Sequence, residues 1–146
     1  NSTRHLSRED VRAMAVYIKS LTANSQDSGE PASADVLRAG SLQYDIHCGS
    51  CHLPTGEGSP EQGPTLIGSP VVLDADPASL INITLFGAQT PHISPSPEWE
   101  SRAWIRMEPF ENKLDDEQVA NLLSFIRATW GHEAGAVTPE QVAAQR

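Results

Sequence analysis

"HCGSCHLPTGEG", residues 47–58, holds both cysteines of the chain, Cys48 and Cys51, and places His52 directly after the second. Four kinds of chemistry use such a pair of thiols: a disulfide, a zinc clip, a redox dithiol, or an anchor for a larger group. A structural zinc site takes four ligands, normally with a second Cys or His pair at finger spacing. The other histidines, His5, His47, His92 and His132, form no paired motif. A thioredoxin-like dithiol belongs at a strand-to-helix junction of an α/β fold, and no strand pattern leads into this stretch. A plain disulfide would leave His52 unexplained.

The reading that uses all three residues is C-x-x-C-H, the spacing of covalent haem attachment. Each thiol adds across one haem vinyl group. A short helical turn lets both reach one porphyrin edge, and His52 then supplies the proximal imidazole to the iron. A sixth ligand must come from elsewhere. Of the two methionines, Met14 reads as core of a leading helix. Met107, in "RAWIRMEPF", follows His52 by enough chain to cross to the opposite haem face. Met107 is the expected ligand and His92 the runner-up. A thioether favours ferrous iron relative to a second imidazole and raises the potential.

The chain around this motif has 146 residues, 38% hydrophobic and 5% aromatic, which gives a lean protein core that a large apolar cofactor can complete. Eleven prolines and ten glycines imply long loops. The formal net charge of -9 is a poor match for nucleic acid, whose phosphates require Lys and Arg. It suits a self-repelling soluble protein or one that docks on a basic partner. The apolar runs fall short of a bilayer span. Asn1 opens without a basic segment or apolar signal core, so the expectation is that any export signal has been removed.

Two stretches repeat. "LSREDVRAMAVYIKSL", residues 6–21, aligns without gaps on "LDDEQVANLLSFIRAT", residues 114–129. Leu6 falls on Leu114, Val11 on Val119, Met14 on Leu122, Tyr17 on Phe125, Ile18 on Ile126 and Lys19 on Arg127. Each opens with a helix-capping residue, Ser7 or Asp115, then acidic residues favoured by the helix dipole, then an amphipathic pattern. The repeat implies that residues 1–21 are the terminal helix of a preceding, similar domain. Residues 22–33, polar with Gly29 and Pro31, read as a linker. The main domain is expected over 34–131, and 132–146 as a C-terminal extension in which Thr138 and Pro139 can start a short helix.

Inside the domain, Asp35–Ile46 reads as a helix with Val36, Leu37, Leu42 and Ile46 available to one side. Gly40 and Tyr44 lie one turn apart, and a glycine inside a helix marks a close crossing. "ASLINITLF" reads as a helix after an Asp76 cap with Pro77 at its first position, ending at Gly87. Residues 89–106 form a long loop carrying Trp99 and Trp104. A last helix starts at Leu114 and ends near Trp130-Gly131. The expected class is all-α with long loops.

Taken together, Gly40, Tyr44, "CGSCH", "GPTLIG", Met107 and Phe125 resemble a class I c-type cytochrome domain across nearly all of residues 34–131. The resemblance implies a few helices and long loops wrapped around one covalent haem c. It implies that Gly40, Tyr44 and Phe125 form the crossing of the first and last helices. It also implies that the Pro64 carbonyl accepts a hydrogen bond from His52, a bond that fixes ring orientation and tunes the iron. "DPASLINITLFG", "MEPF", "LDDEQVANLLSFIRATWG" and "VTPEQVAAQR" are similar to the last haem domain of the multi-haem subunits that accompany membrane-bound bacterial alcohol, aldehyde and sugar dehydrogenases. That family usually has proline directly after the ligand methionine; here Glu108 intervenes before Pro109.

The implied function is one-electron transfer through a His52/Met107 haem, with no substrate chemistry. Electrons would come from a dehydrogenase catalytic subunit and pass to quinone, another cytochrome or an oxidase, in the periplasm. Trp104 and Arg106 flank the ligand loop and can touch the haem or its propionates. Two alternatives stay open: a haem with a labile sixth ligand acting as peroxidase or gas sensor, and a haem-bearing module that anchors a dehydrogenase.

Overall fold

The computed structural model describes residues 6–20, 29–59, 62–88 and 106–146. Helices α1 (Arg8–Ser20), α2 (Ala34–His47), α3 (Gly49–His52), α4 (Pro70–Leu73), α5 (Ala78–Phe86), α6 (Asp116–Ala128) and α7 (Pro139–Ala143) follow one another. Among the described residues there is no strand, only the isolated bridges Ser59–Gly63 and Ala88–Met107. The all-α expectation therefore holds.

Local chemistry sets the helix ends. Ser33 caps α2 by accepting from the Val36 amide at 3.4 Å. Asp115 caps α6 in a capping box: its carboxylate accepts from the Gln118 amide, and the Gln118 side chain accepts from the Asp115 amide. Thr138 and Gln141 do the same for α7, with Pro139 at its first position. Helix α5 begins one residue later than the sequence suggests. Pro77 is its cap residue, while Asp76 accepts from the Ala78 amide at 3.0 Å. Helix α6 begins two residues after Leu114, because the capping box fixes Asp115 as the boundary.

Helices α2 and α6 cross and carry the core. At the crossing a Cβ on Gly40 would lie 2.1 Å from the Asn121 carbonyl oxygen and 2.6 Å from Phe125 Cβ, so glycine is required there. Tyr44, one turn on, packs against Phe125 and Trp130 at ring separations of 5.6 and 5.2 Å. This face excludes two residues expected to help. Leu42 and Ile46 are 59% and 70% exposed, because two positions on from Gly40 and Tyr44 is about 200° around the helix.

The segment after α6 returns to the core. Val137 and Val142 are buried, and the Ser124 hydroxyl exchanges hydrogen bonds with the Val137 backbone. Arg146 bonds Asp116 and the carbonyls of Glu111 and Leu114. Helix α1 differs: it packs against none of the other helices among the described residues. Val11, Met14 and Tyr17 on it are 51%, 46% and 64% exposed, so Met14 is not a core residue of the packed body. No helix among the described residues is long and apolar enough to cross a membrane.

Candidate functional site

The motif forms where α2 ends. Cys48 is the hinge: its amide still donates to the Tyr44 carbonyl at 2.8 Å, and its own carbonyl accepts from the Cys51 and His52 amides at 3.1 and 2.9 Å. That single turn, α3, carries Cys51 and His52. Both cysteines are free thiols, Cys48 buried and Cys51 half-buried. Burial, and then the neighbouring Cys51, push the Cys48 thiol up to about 12. A redox dithiol depends on a lowered thiol pKa, so this environment disfavours that chemistry. Among the described residues no group of three or more His, Cys, Asp or Glu side chains could hold a metal ion.

The chain turns sharply after His52. Leu53 adopts a left-handed backbone (φ 62°), a conformation that costs a non-glycine residue ~1–2 kcal/mol. The buried Tyr44 hydroxyl donates to the Leu53 carbonyl at 2.6 Å and pins it. The loop then folds back on itself. The Gly58 amide donates to the His52 carbonyl, Ser59 to Gly63, and Leu66 to Gly56. Gly58 (φ 69°) lies so close to Pro64 that a Cβ would fall 2.5 Å from its carbonyl oxygen. This folding delivers Pro64 to His52: the His52 Nδ1 donates to the Pro64 carbonyl at 2.9 Å. The carbonyl has no hydrogen to give, so in the neutral ring Nδ1 holds the proton and Nε2 the lone pair. His52 is 9% exposed, and its Nε2 has no hydrogen-bond partner among the described residues.

An imidazole oriented through Nδ1 and following directly on the second of two free cysteines is a donor set that covalent haem uses, so the residues present fit that group. Met107 sits at the start of the segment that leaves the long loop. It forms a two-way backbone bridge with Ala88, at 3.0 and 3.3 Å, and packs against the apolar core. Gly87 (φ 78°) allows this approach, since a Cβ there would meet the Met107 carbonyl at 2.5 Å. Phe110 and Glu111 extend the seam by donating to the carbonyls of Thr84 and Leu85. Phe110 meets the His47 ring edge-on at 5.6 Å, a contact the sequence reading did not foresee. Arg106 is exposed. His5, His92, Trp99 and Trp104 lie outside the described residues.

Two buried polar residues near this loop had no role at the sequence level. Arg127, matched there only to Lys19, is buried. It donates from Nη1 to the Val72 and Asp74 carbonyls, both at 2.7 Å, and from Nε to Gly135 at 2.8 Å. Burial lowers its pKa, against the opposing pull of Asp74. His132 is 8% exposed and bonded through both ring nitrogens.

Comparison with known proteins adds a second line of observation. The family profile "Cytochrome c" matches residues 37–130. The cytochrome c subunit of the quinone alcohol dehydrogenase of Gluconobacter oxydans (strain 621H) is 34% identical over 152 residues, covering 97% of this chain and 31% of that protein. The gluconate 2-dehydrogenase cytochrome c subunit of Pantoea cypripedii is 33% identical over 158 residues, covering 100% and 35%. The chain thus spans about a third of the length of these relatives. Among solved structures, cytochrome cL of Methylophaga aminisulfidivorans MPT superposes with a TM-score of 0.50 at 18% identity, over 96% of this chain and 81% of that one.

Proposed function

The chain belongs to the cytochrome c family, and from that premise we propose that it relays single electrons through one haem c, with His52 and Met107 as axial ligands. The family implies a covalently bound haem c, and Cys48, Cys51 and His52 fit its attachment motif. The observation that carries the reading is the His52 Nδ1 bond to Pro64 in the same short turn as two free cysteines.

When bound, haem c supplies a ferric/ferrous couple. The chain's own residues attach, orient and shield it. Cys48 and Cys51 would form the thioethers, and Tyr44 would hold the turn that presents His52. The Pro64 carbonyl fixes the imidazole and raises its basicity. Met107, on its short bridge to Ala88, would fill the sixth position. No side chain in this set is arranged to transform a substrate, and the relatives are named as cytochrome subunits of dehydrogenases.

The likeness to those subunits supports a dehydrogenase catalytic subunit as electron donor and a periplasmic site of action, with quinone, another cytochrome or an oxidase as acceptor. It also supports a modular reading of the chain. Residues 1–21 would close a preceding haem domain, 22–33 link the two, 34–131 form the domain described above, and 132–146 its C-terminal extension.

Intact mass of the purified holoprotein tests the central claim. The expected mass is that of the polypeptide plus one haem, with a low-spin spectrum in both redox states. Cys48→Ala with Cys51→Ala should leave any haem extractable by acid acetone; retention would refute thioether attachment. Rapid carbon monoxide binding by the ferrous protein at neutral pH would replace the relay with an open-site haem protein.

A further inference from the structure

The loop that carries Pro64 is held from outside. Its far end, Gly68, donates its amide hydrogen to His132 Nε2 at 3.0 Å. A nitrogen that accepts must be bare, so the hydrogen of the His132 ring is on Nδ1. Nδ1 in turn donates to the Ile126 carbonyl at 2.9 Å, in the last turns of α6. His132 therefore ties residue 68 to the helix that forms the core crossing. The ring is buried and braced edge-on by Trp130 at 6.2 Å. Trp130 itself fills the space over Gly56, where a Cβ would come within 2.7 Å of the indole. Gly56 accepts from the Leu66 amide at 2.8 Å. The segment that follows Pro64 is thus held at Leu66 by Gly56 and at Gly68 by His132.

We propose that His132 is a positioning residue for the proximal ligand: by holding Gly68 it sets the Pro64 carbonyl against His52 Nδ1 and so helps set the potential. The inference rests on the haem reading of the preceding section and goes beyond it, since neither the attachment motif nor the loop motif includes residue 132. The physical route is short. A strong bond from Nδ1–H to a carbonyl makes the imidazole a better electron donor and favours ferric iron. Release of Gly68 lets the segment relax, lengthens that bond, and shifts the balance toward ferrous iron.

The test uses the holoprotein and two variants. His132→Leu removes donor and acceptor at similar volume, whereas His132→Asn keeps one of each. Three quantities are read: midpoint potential, exchange of the Gly68 amide, and the His52 Nδ1–H resonance in the diamagnetic ferrous state. His132→Leu should speed Gly68 exchange at least tenfold and favour the ferrous form at least threefold, a rise of about 28 mV at 59 mV per tenfold. His132→Asn should return both quantities to within twofold of the parent. An unmoved potential in His132→Leu overturns the proposal, as does a His132→Asn protein that shifts as far as the leucine variant. If His132→Leu yields no holoprotein, nitrogen-15 spectra of the parent decide: Nε2 of His132 must be bare, and a protonated Nε2 overturns the assignment. Failure of the haem reading is separate, because it would appear as missing covalent haem in the parent.

Discussion

A single methyl group at residue 40 would strike the Asn121 carbonyl oxygen at 2.1 Å. Backbone cannot swing aside as a side chain can, so Gly40→Ala should fall at the upper end of overpacking costs, about 3 kcal/mol. The denaturant midpoint of the holoprotein measures it. A midpoint within ~0.5 kcal/mol of the parent would mean the helices can separate freely. Met107→Ala makes a different prediction at the same scale: loss of the weak long-wavelength sulfur-to-iron band of the ferric protein. Survival of that band removes Met107 as ligand. Gly40 was legible because a glycine inside a helix marks a close approach, and the spacing of Cys48, Cys51 and His52 foretold the short helical turn that α3 makes. Pro64 was legible through resemblance, which named its carbonyl as the acceptor. Arg127 and His132 were not legible, because they bond main-chain groups of residues distant in sequence. A backbone partner has no identity to read, so no pattern of residue types betrays the contact.

The helices show where local chemistry prevails and where packing overrides it. Asp115, Ser33 and Thr138 cap as their types predict, and the α7 start at Thr138-Pro139 was readable for that reason. The apolar side assigned to α2 was not, since Leu42 and Ile46 suit a core in sequence but the crossing selects the face that bears Gly40. The end of α6 is held by a buried guanidinium. Arg127 ties it to the carbonyls of Val72, Asp74 and Gly135. Arg127→Met keeps the stem but strands those acceptors, which should cost about 2–4 kcal/mol. Thermal or denaturant unfolding gives the number, and a loss below ~1 kcal/mol would show that water replaces the guanidinium without penalty.

For the whole molecule, the decisive contrast is between α1 and the rest. Its repeat partner α6 buries Val119, Leu122 and Ile126, whereas the matching Val11 and Met14 are exposed. The same pattern is covered in one place and uncovered in the other. Deletion of residues 1–21 should therefore leave the haem spectrum and midpoint potential of this domain unchanged; loss of the spectrum would sink the modular reading. The net charge of -9 adds a second whole-molecule expectation. If the electron donor presents a basic face, the bimolecular reduction rate should fall steeply as ionic strength rises. A flat salt profile would point to a neutral docking surface.

The grip on the proximal loop also has a temporal side. Trp130 and His132 are encoded long after Cys48 and Cys51, so a chain that emerges N-terminus first presents its thiols while the segment 64–68 is still untethered. The attachment turn of Cys48, Cys51 and His52 is therefore local in sequence, whereas the tether on Gly68 requires the chain as far as residue 132.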